Sequence, residues 1–114
     1  MTLGIDIVNV ERFRALLARK PAFANRYFTD AERRYCFAFQ DPAVRLAATL
    51  AAKEAVMKAL QLTPAPAWAR RIEIKRADNG APSAEVHGRR IPVSISHDGG
   101  AAVAVAAHFE PLAS

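Results

Sequence analysis

A chain of 114 residues, 52% hydrophobic and 24% charged, is long enough to bury one core and too apolar for a disordered tail. Its formal net charge of +5 suits an acidic partner, which could be a nucleic acid, an anionic membrane, a phosphorylated small molecule or an acidic protein. A single cysteine, Cys36, excludes an internal disulfide; no signal peptide is visible, and no apolar run reaches the roughly 20 residues that span a bilayer, so a cytoplasmic location without membrane association is expected.

TLGIDIVNV, residues 2–10, is short and rich in β-branched residues and predicts a strand. Leu3, Ile5 and Ile7 share one of its faces; Gly4, Asp6, Val8 and Val10 share the other. ERFRALLARK has helical spacing up to Pro21. Thr29-Asp30-Ala31-Glu32 fits a capping box and opens a short helix carrying Cys36, which is expected as a small core hydrophobe. Asp41-Pro42 reads as the start of the longest helix, with Asp41 as its cap, running to about Gln61 and ended by Pro64 and Pro66. RRIEIK, SAEVHG, IPVSISH and AAVAVAAHF are strand candidates, with turns at Asp78-Asn79-Gly80 and Asp98-Gly99-Gly100, and PLAS reads as a frayed tail. One strand, then helices, then several strands predicts one α+β domain over residues 1–114, an antiparallel sheet packed on the long helix.

Three places break this pattern. Leu46, Leu50, Met57 and Leu60 form an apolar stripe on the long helix, and Lys53 falls inside it. Glu54 precedes Lys58 by four residues, the favoured order for an exposed helix pair, with Lys53 snorkelling along its own methylenes. Asp6 stands mid-strand among apolar residues, where a buried carboxylate without a partner costs several kcal/mol. It is either a surface carboxylate or one of a pair with Glu54 around a hard divalent ion such as Mg²⁺, with a lysine nearby for phosphate oxygens or a proton. Ser94-Ile95-Ser96-His97-Asp98 closes a strand at a glycine turn, a common place for functional side chains. Hydrolase, zinc and Walker motifs are absent.

GIDIV at 4–8, FTDAE at 28–32, AAKEAVMKAL at 51–60 and VSISHD at 93–98 together resemble the holo-acyl-carrier-protein synthases, the small bacterial class of phosphopantetheinyl transferases. The resemblance implies transfer of the phosphopantetheine arm of coenzyme A to a serine of an acyl carrier protein, with adenosine 3′,5′-bisphosphate released and Mg²⁺ required. It implies Asp6 and Glu54 as metal ligands and Glu54 and Lys58 as the catalytic pair. Lys58, Ser96 and His97 then belong to coenzyme A binding, and Arg12, with Arg14 beside it, to the acidic carrier protein. It further implies a homotrimer with substrates between subunits. The chain departs from the family at Thr49 and Leu50, where arginine and an aromatic are usual, and in the glycine-free loop QLTPAPAW, for which Arg70 and Arg71 could compensate. Trp68 is expected in the core. A binding homologue with weak or lost turnover is the alternative; a nucleic-acid module ranks last because the basic residues are scattered.

Overall fold

The computed structural model describes residues 1–109, so PLAS lies outside the described residues. Strand β1, Thr2–Asn9, runs directly into helix α1, Val10–Arg19. Asn9 makes the turn: its side chain accepts the Arg12 N–H at 2.9 Å and so caps α1. Two short helices follow, α2 at Ala22–Tyr27 and α3 at Asp30–Phe37. Next comes the long α4, Pro42–Leu60, and the short α5, Ala65–Trp68. After a 3-10 turn, Ala69–Arg71, the chain forms β2 Ile72–Arg76, β3 Pro82–Val86, β4 Arg89–Asp98 and β5 Ala101–His108.

The five strands form one antiparallel sheet in the order β1-β5-β4-β3-β2, so the first strand closes one edge and the second the other. The α+β architecture expected from the order of elements is the one observed. Strand β4 is long enough to serve two partners: residues 89–92 pair with β3 and 93–98 with β5. Asn79 accepts the Ala81 N–H in the β2–β3 turn, as the Asp-Asn-Gly signal predicted. The β3–β4 turn was not legible as such; His87 and Gly88 both have positive φ, the geometry of a tight hairpin.

Helix α4 lies across the inner face of the sheet. It is not the amphipathic helix its stripe of leucines predicted: thirteen of its residues, on all sides, are buried. Sheet, α1 and α3 surround it, and Lys58 is its one exposed residue. Asp41 occupies the cap position but makes no capping bond; its carboxylate instead receives both terminal nitrogens of Arg14, at 2.7 and 3.0 Å. The helix ends before the prolines. Gln61 adopts the left-handed conformation, its N–H reaches the Lys58 carbonyl and the Leu62 N–H reaches that of Met57, a Schellman motif. Cys36 is fully buried as expected. Trp68 is only half-buried, at the edge of the core, with Arg71 over its ring and His87 against its edge.

The outer face of the sheet is apolar and open at its β1–β5 end. Leu3, Ile5 and Ile7 are 61–67% exposed, and Val105 lies beside them.

Candidate active site

The inner face of β1 carries Gly4, Asp6 and Val8, all turned toward α4. Gly4 is required there: a Cβ at this position would stand 1.9 Å from the Ala55 carbonyl oxygen and 2.7 Å from the Ala59 nitrogen. No side chain fits, so β1 lies directly on the backbone of α4. Thr2 fastens the same contact, its hydroxyl donating to the Ala59 carbonyl at 2.6 Å. This close approach brings Asp6 to Glu54 and Lys58, which sit one helical turn apart on α4.

Lys58 does not pair with Glu54 as the i,i+4 spacing predicted. Its ammonium donates to the Ile5 carbonyl at 2.9 Å and to Asp6 Oδ1 at 3.1 Å. The spacing rule describes an isolated helix surface, and here β1 presents two better acceptors. The other oxygen of Asp6, Oδ2, is buried with no hydrogen-bond partner. Glu54 is half-buried beside it. Burial first, then contact with Asp6 and its negative charge, push the Glu54 pKa up to about 7, against the pull of Lys58. Two carboxyls this close need either a shared proton or a cation between them. The donor set is all oxygen, one Asp6 oxygen is buried without a partner and Glu54 crowds the same carboxylate, so these residues fit a hard divalent ion.

Lys53 corrects the sequence reading more sharply. It does not snorkel to solvent: its side chain is 0% exposed and pairs with Glu32, itself 1% exposed, at 2.8 Å. Two further acceptors, the carbonyls of Ala69 and Ile72, complete its ammonium. Glu32 is equally saturated, taking the N–H groups of Thr29 at 2.8 Å and Ile74 at 2.7 Å. Burial pushes the Glu32 pKa up and that of Lys53 down, each against the attraction of its partner. Sequence reasoning assigned Glu32 to the capping box alone, which it does form. The available signal was Lys53 itself, a cation amid apolar residues that required a carboxylate from elsewhere.

The remaining candidates lie apart. Ser96 and His97 are on β4, separated from β1 by β5, so about 10 Å of sheet intervenes. Ser96 points to the outer face; His97 is exposed and lines a hollow of about 180 Å³ with Glu11, Arg14 and Asp98. Arg12 and Arg14 diverge, as residues two apart on a helix must. Arg12 is exposed and has no ion pair among the described residues, whereas Arg14 is held by Asp41 and Glu11. Thr49 is buried, its hydroxyl donating to the Arg45 carbonyl at 2.9 Å and touching the Cys36 sulfur. That departure therefore faces the interior. Arg70 faces Asp30 at 3.6 Å, and Arg71 stacks on Trp68. No helix among the described residues is long and apolar enough to cross a membrane.

Comparison with known proteins bears directly on this arrangement. Residues 2–106 match the family model described as the 4′-phosphopantetheinyl transferase superfamily. Holo-(acyl-carrier-protein) synthase of Chlorobaculum parvum is 42% identical, over 93% of this chain and 96% of the relative. The synthase of Anaeromyxobacter dehalogenans is 41% identical, over 90% of each. Among solved structures, the Helicobacter pylori holo-(acyl-carrier-protein) synthase in complex with coenzyme A superposes with a TM-score of 0.79 at 30% identity, covering 92% of this chain and 97% of that one.

Proposed function

Because the chain belongs to the 4′-phosphopantetheinyl transferase superfamily, we propose that it transfers the 4′-phosphopantetheine arm of coenzyme A to a serine of an apo acyl carrier protein and releases adenosine 3′,5′-bisphosphate. Asp6 carries this reading. One of its oxygens holds Lys58 and the other is buried without a partner beside Glu54. Asp6 and Glu54 are the residues that would hold Mg²⁺. When bound, the ion supplies positive charge against the pyrophosphate of coenzyme A.

Lys58, with 58% of its side chain exposed, is the member of the trio open to an incoming ligand, and its ammonium is placed to meet a phosphate oxygen. In the transfer, the serine oxygen bonds to the pantetheine-side phosphorus. The bond from that phosphorus to the bridging oxygen breaks, and adenosine bisphosphate departs with the electron pair. The serine proton passes to a base facing the site, and Glu54 is the carboxylate placed there beside Lys58. Positioning and charge carry such a transfer more than covalent work by the protein.

The partners follow from the surface. The +5 charge and the free Arg12 suit an acidic carrier. The open apolar face of Leu3, Ile5, Ile7 and Val105 suits burial against other copies of this chain, as in a homotrimer. Ser96 lies on that same face and would look toward a neighbouring copy, so coenzyme A and the carrier would bind between subunits, with His97 at the rim. One buried thiol fits a cytoplasmic location.

The test is to incubate the purified protein with an apo carrier, coenzyme A and Mg²⁺ and to follow the carrier by mass spectrometry. The expected result is Mg²⁺-dependent addition of the arm, reduced at least about 100-fold in Asp6→Ala and in Glu54→Ala. Coenzyme A binding without labelling of any carrier would instead mark a homologue that has lost turnover. Labelling unchanged in Asp6→Ala would overturn the assignment of the site.

A further inference from the structure

The buried Lys53–Glu32 pair takes no direct part in the transfer, yet Lys53 precedes Glu54 in the chain. We propose that Lys53 and Glu32 are positioning residues: their pair fixes the rotation of α4 about its axis and so holds Glu54 opposite Asp6. The inference rests on the transferase reading for the role of Glu54.

The pair is anchored at the edge of the sheet opposite to Asp6. Glu32 belongs to α3 and binds the Ile74 N–H of β2; Lys53 binds the carbonyls of Ala69 and Ile72, where the chain enters β2. Strand β2 is one edge of the sheet and β1, with Asp6, is the other. Neighbouring residues on a helix point about 100° apart, so Lys53 grips one side of the fold while Glu54 addresses the other.

Helix α4 needs such a grip. Seven of its thirteen buried residues are alanine, so its surface is smooth and offers shallow ridges to key against the sheet. Gly4 against Ala55, Thr2 on the Ala59 carbonyl and Lys58 on the Ile5 carbonyl tie α4 to β1 along one side only, and the Lys53–Glu32 pair supplies the second point of attachment that a fixed rotation needs. A roll of about 20° would carry a carboxylate lying roughly 5–6 Å from the axis by about 2 Å. Displacements of about 1 Å can already cost about 100-fold in rate. A buried ion pair is also poorly explained by stability alone, since apolar residues of the same volume often serve as well; fixing a register is its best-attested use.

The double variant Glu32→Gln/Lys53→Met removes both charges and keeps the volumes. The readouts are thermal melting, Mn²⁺ and Mg²⁺ affinity by calorimetry, kcat and KM for coenzyme A, and a crystal structure. The expected outcome is a folded protein whose metal affinity falls by about 10–100-fold, as when an outer-sphere support is lost. The drop in kcat should exceed any change in KM, and the Asp6 and Glu54 carboxyls should stand farther apart. If the double variant does not fold, Glu32→Asp keeps the charge and shortens the arm, and the same loss of metal affinity is expected from it. Unchanged metal affinity and unchanged carboxyl separation in a folded variant would overturn the inference. Failure of the wild type to bind metal or label a carrier would overturn the transferase reading instead, and the structure of the variant would still report the rotation.

Discussion

Two lysines five residues apart on α4 each meet a carboxylate from a distant part of the chain, and the two pairs end in opposite states. Around Lys53 and Glu32 all three ammonium protons and both carboxylate oxygens have partners, and water is excluded. Around Lys58 and Asp6 one carboxylate oxygen has no partner, a second carboxyl crowds in, and the lysine faces solvent. Saturated polar clusters hold a fold in one arrangement, whereas an unsatisfied one leaves capacity for a ligand. The same residue types thus serve as a fastener at one edge of the sheet and as a candidate site at the other.

The largest expected effect separates these roles directly. Lys53→Met leaves Glu32 buried without a counter-ion and should cost about 3–5 kcal/mol of stability, read from the shift in urea midpoint. Lys58→Met should cost less, about 1 kcal/mol, because the lysine end of this pair is 58% exposed. Transferase activity should nevertheless be lost in Lys58→Met while its melting curve stays close to that of the wild type. Equal destabilisation by the two substitutions would erase the distinction.

Gly4→Ala attacks the open cluster without touching the closed one. A methyl placed 1.9 Å from the Ala55 oxygen must push β1 off α4. Overpacking of this kind costs about 1–3 kcal/mol. Asp6 is two residues along on the same face and must move with the strand, so kcat should fall by at least about tenfold, given the sensitivity of such geometry. In a crystal structure of the variant the Lys53–Glu32 contact should be unaltered. A displaced β1 with full activity would mean that the spacing of Asp6 from α4 is not critical.

Much of this contrast was legible in the sequence, and the failures have one physical origin. The bounds of α4 came from Asp41-Pro42 and from the end of the alanine run. The strand faces of β1 came from alternation, and Asp6, Glu54 and Lys58 came together as the resemblance implied. What local pattern could not supply was the partner of each charged group. Glu54–Lys58 obeys the helix rule, but β1 offers Lys58 a carboxylate and a carbonyl that no spacing rule on α4 can anticipate. Glu32 looked fully occupied by its capping box, although a carboxylate has about four acceptor positions and its box uses few of them. Asp41 looked like a cap until Arg14 from α1 claimed it. Burial on all sides of α4 was hidden because alanine marks neither an inside nor an outside face.

The smallest expected effect concerns protons, and it isolates the open cluster. In the metal-free protein the Glu54 pKa is pushed up to about 7, above the 4.5 of the unfolded chain. Between these values the folded protein holds a proton on Glu54 that the unfolded chain has released. Stability from this group therefore rises as pH falls through that window, is complete below it, and is lost as pH climbs through 7. Glu54→Gln should flatten this slope, so the difference between wild-type and variant melting temperatures, followed from pH 5 to 8, reports the proton held by the Asp6–Glu54 pair. Mg²⁺ should act in the opposite sense, because only the ionised carboxylate binds it. The increase in melting temperature on adding Mg²⁺ should be small near pH 5.5 and grow toward pH 8. A wild-type slope that survives in Glu54→Gln would show that Asp6 and Glu54 do not crowd one another, and the difference between the two ends of the sheet would then rest on Lys58 alone.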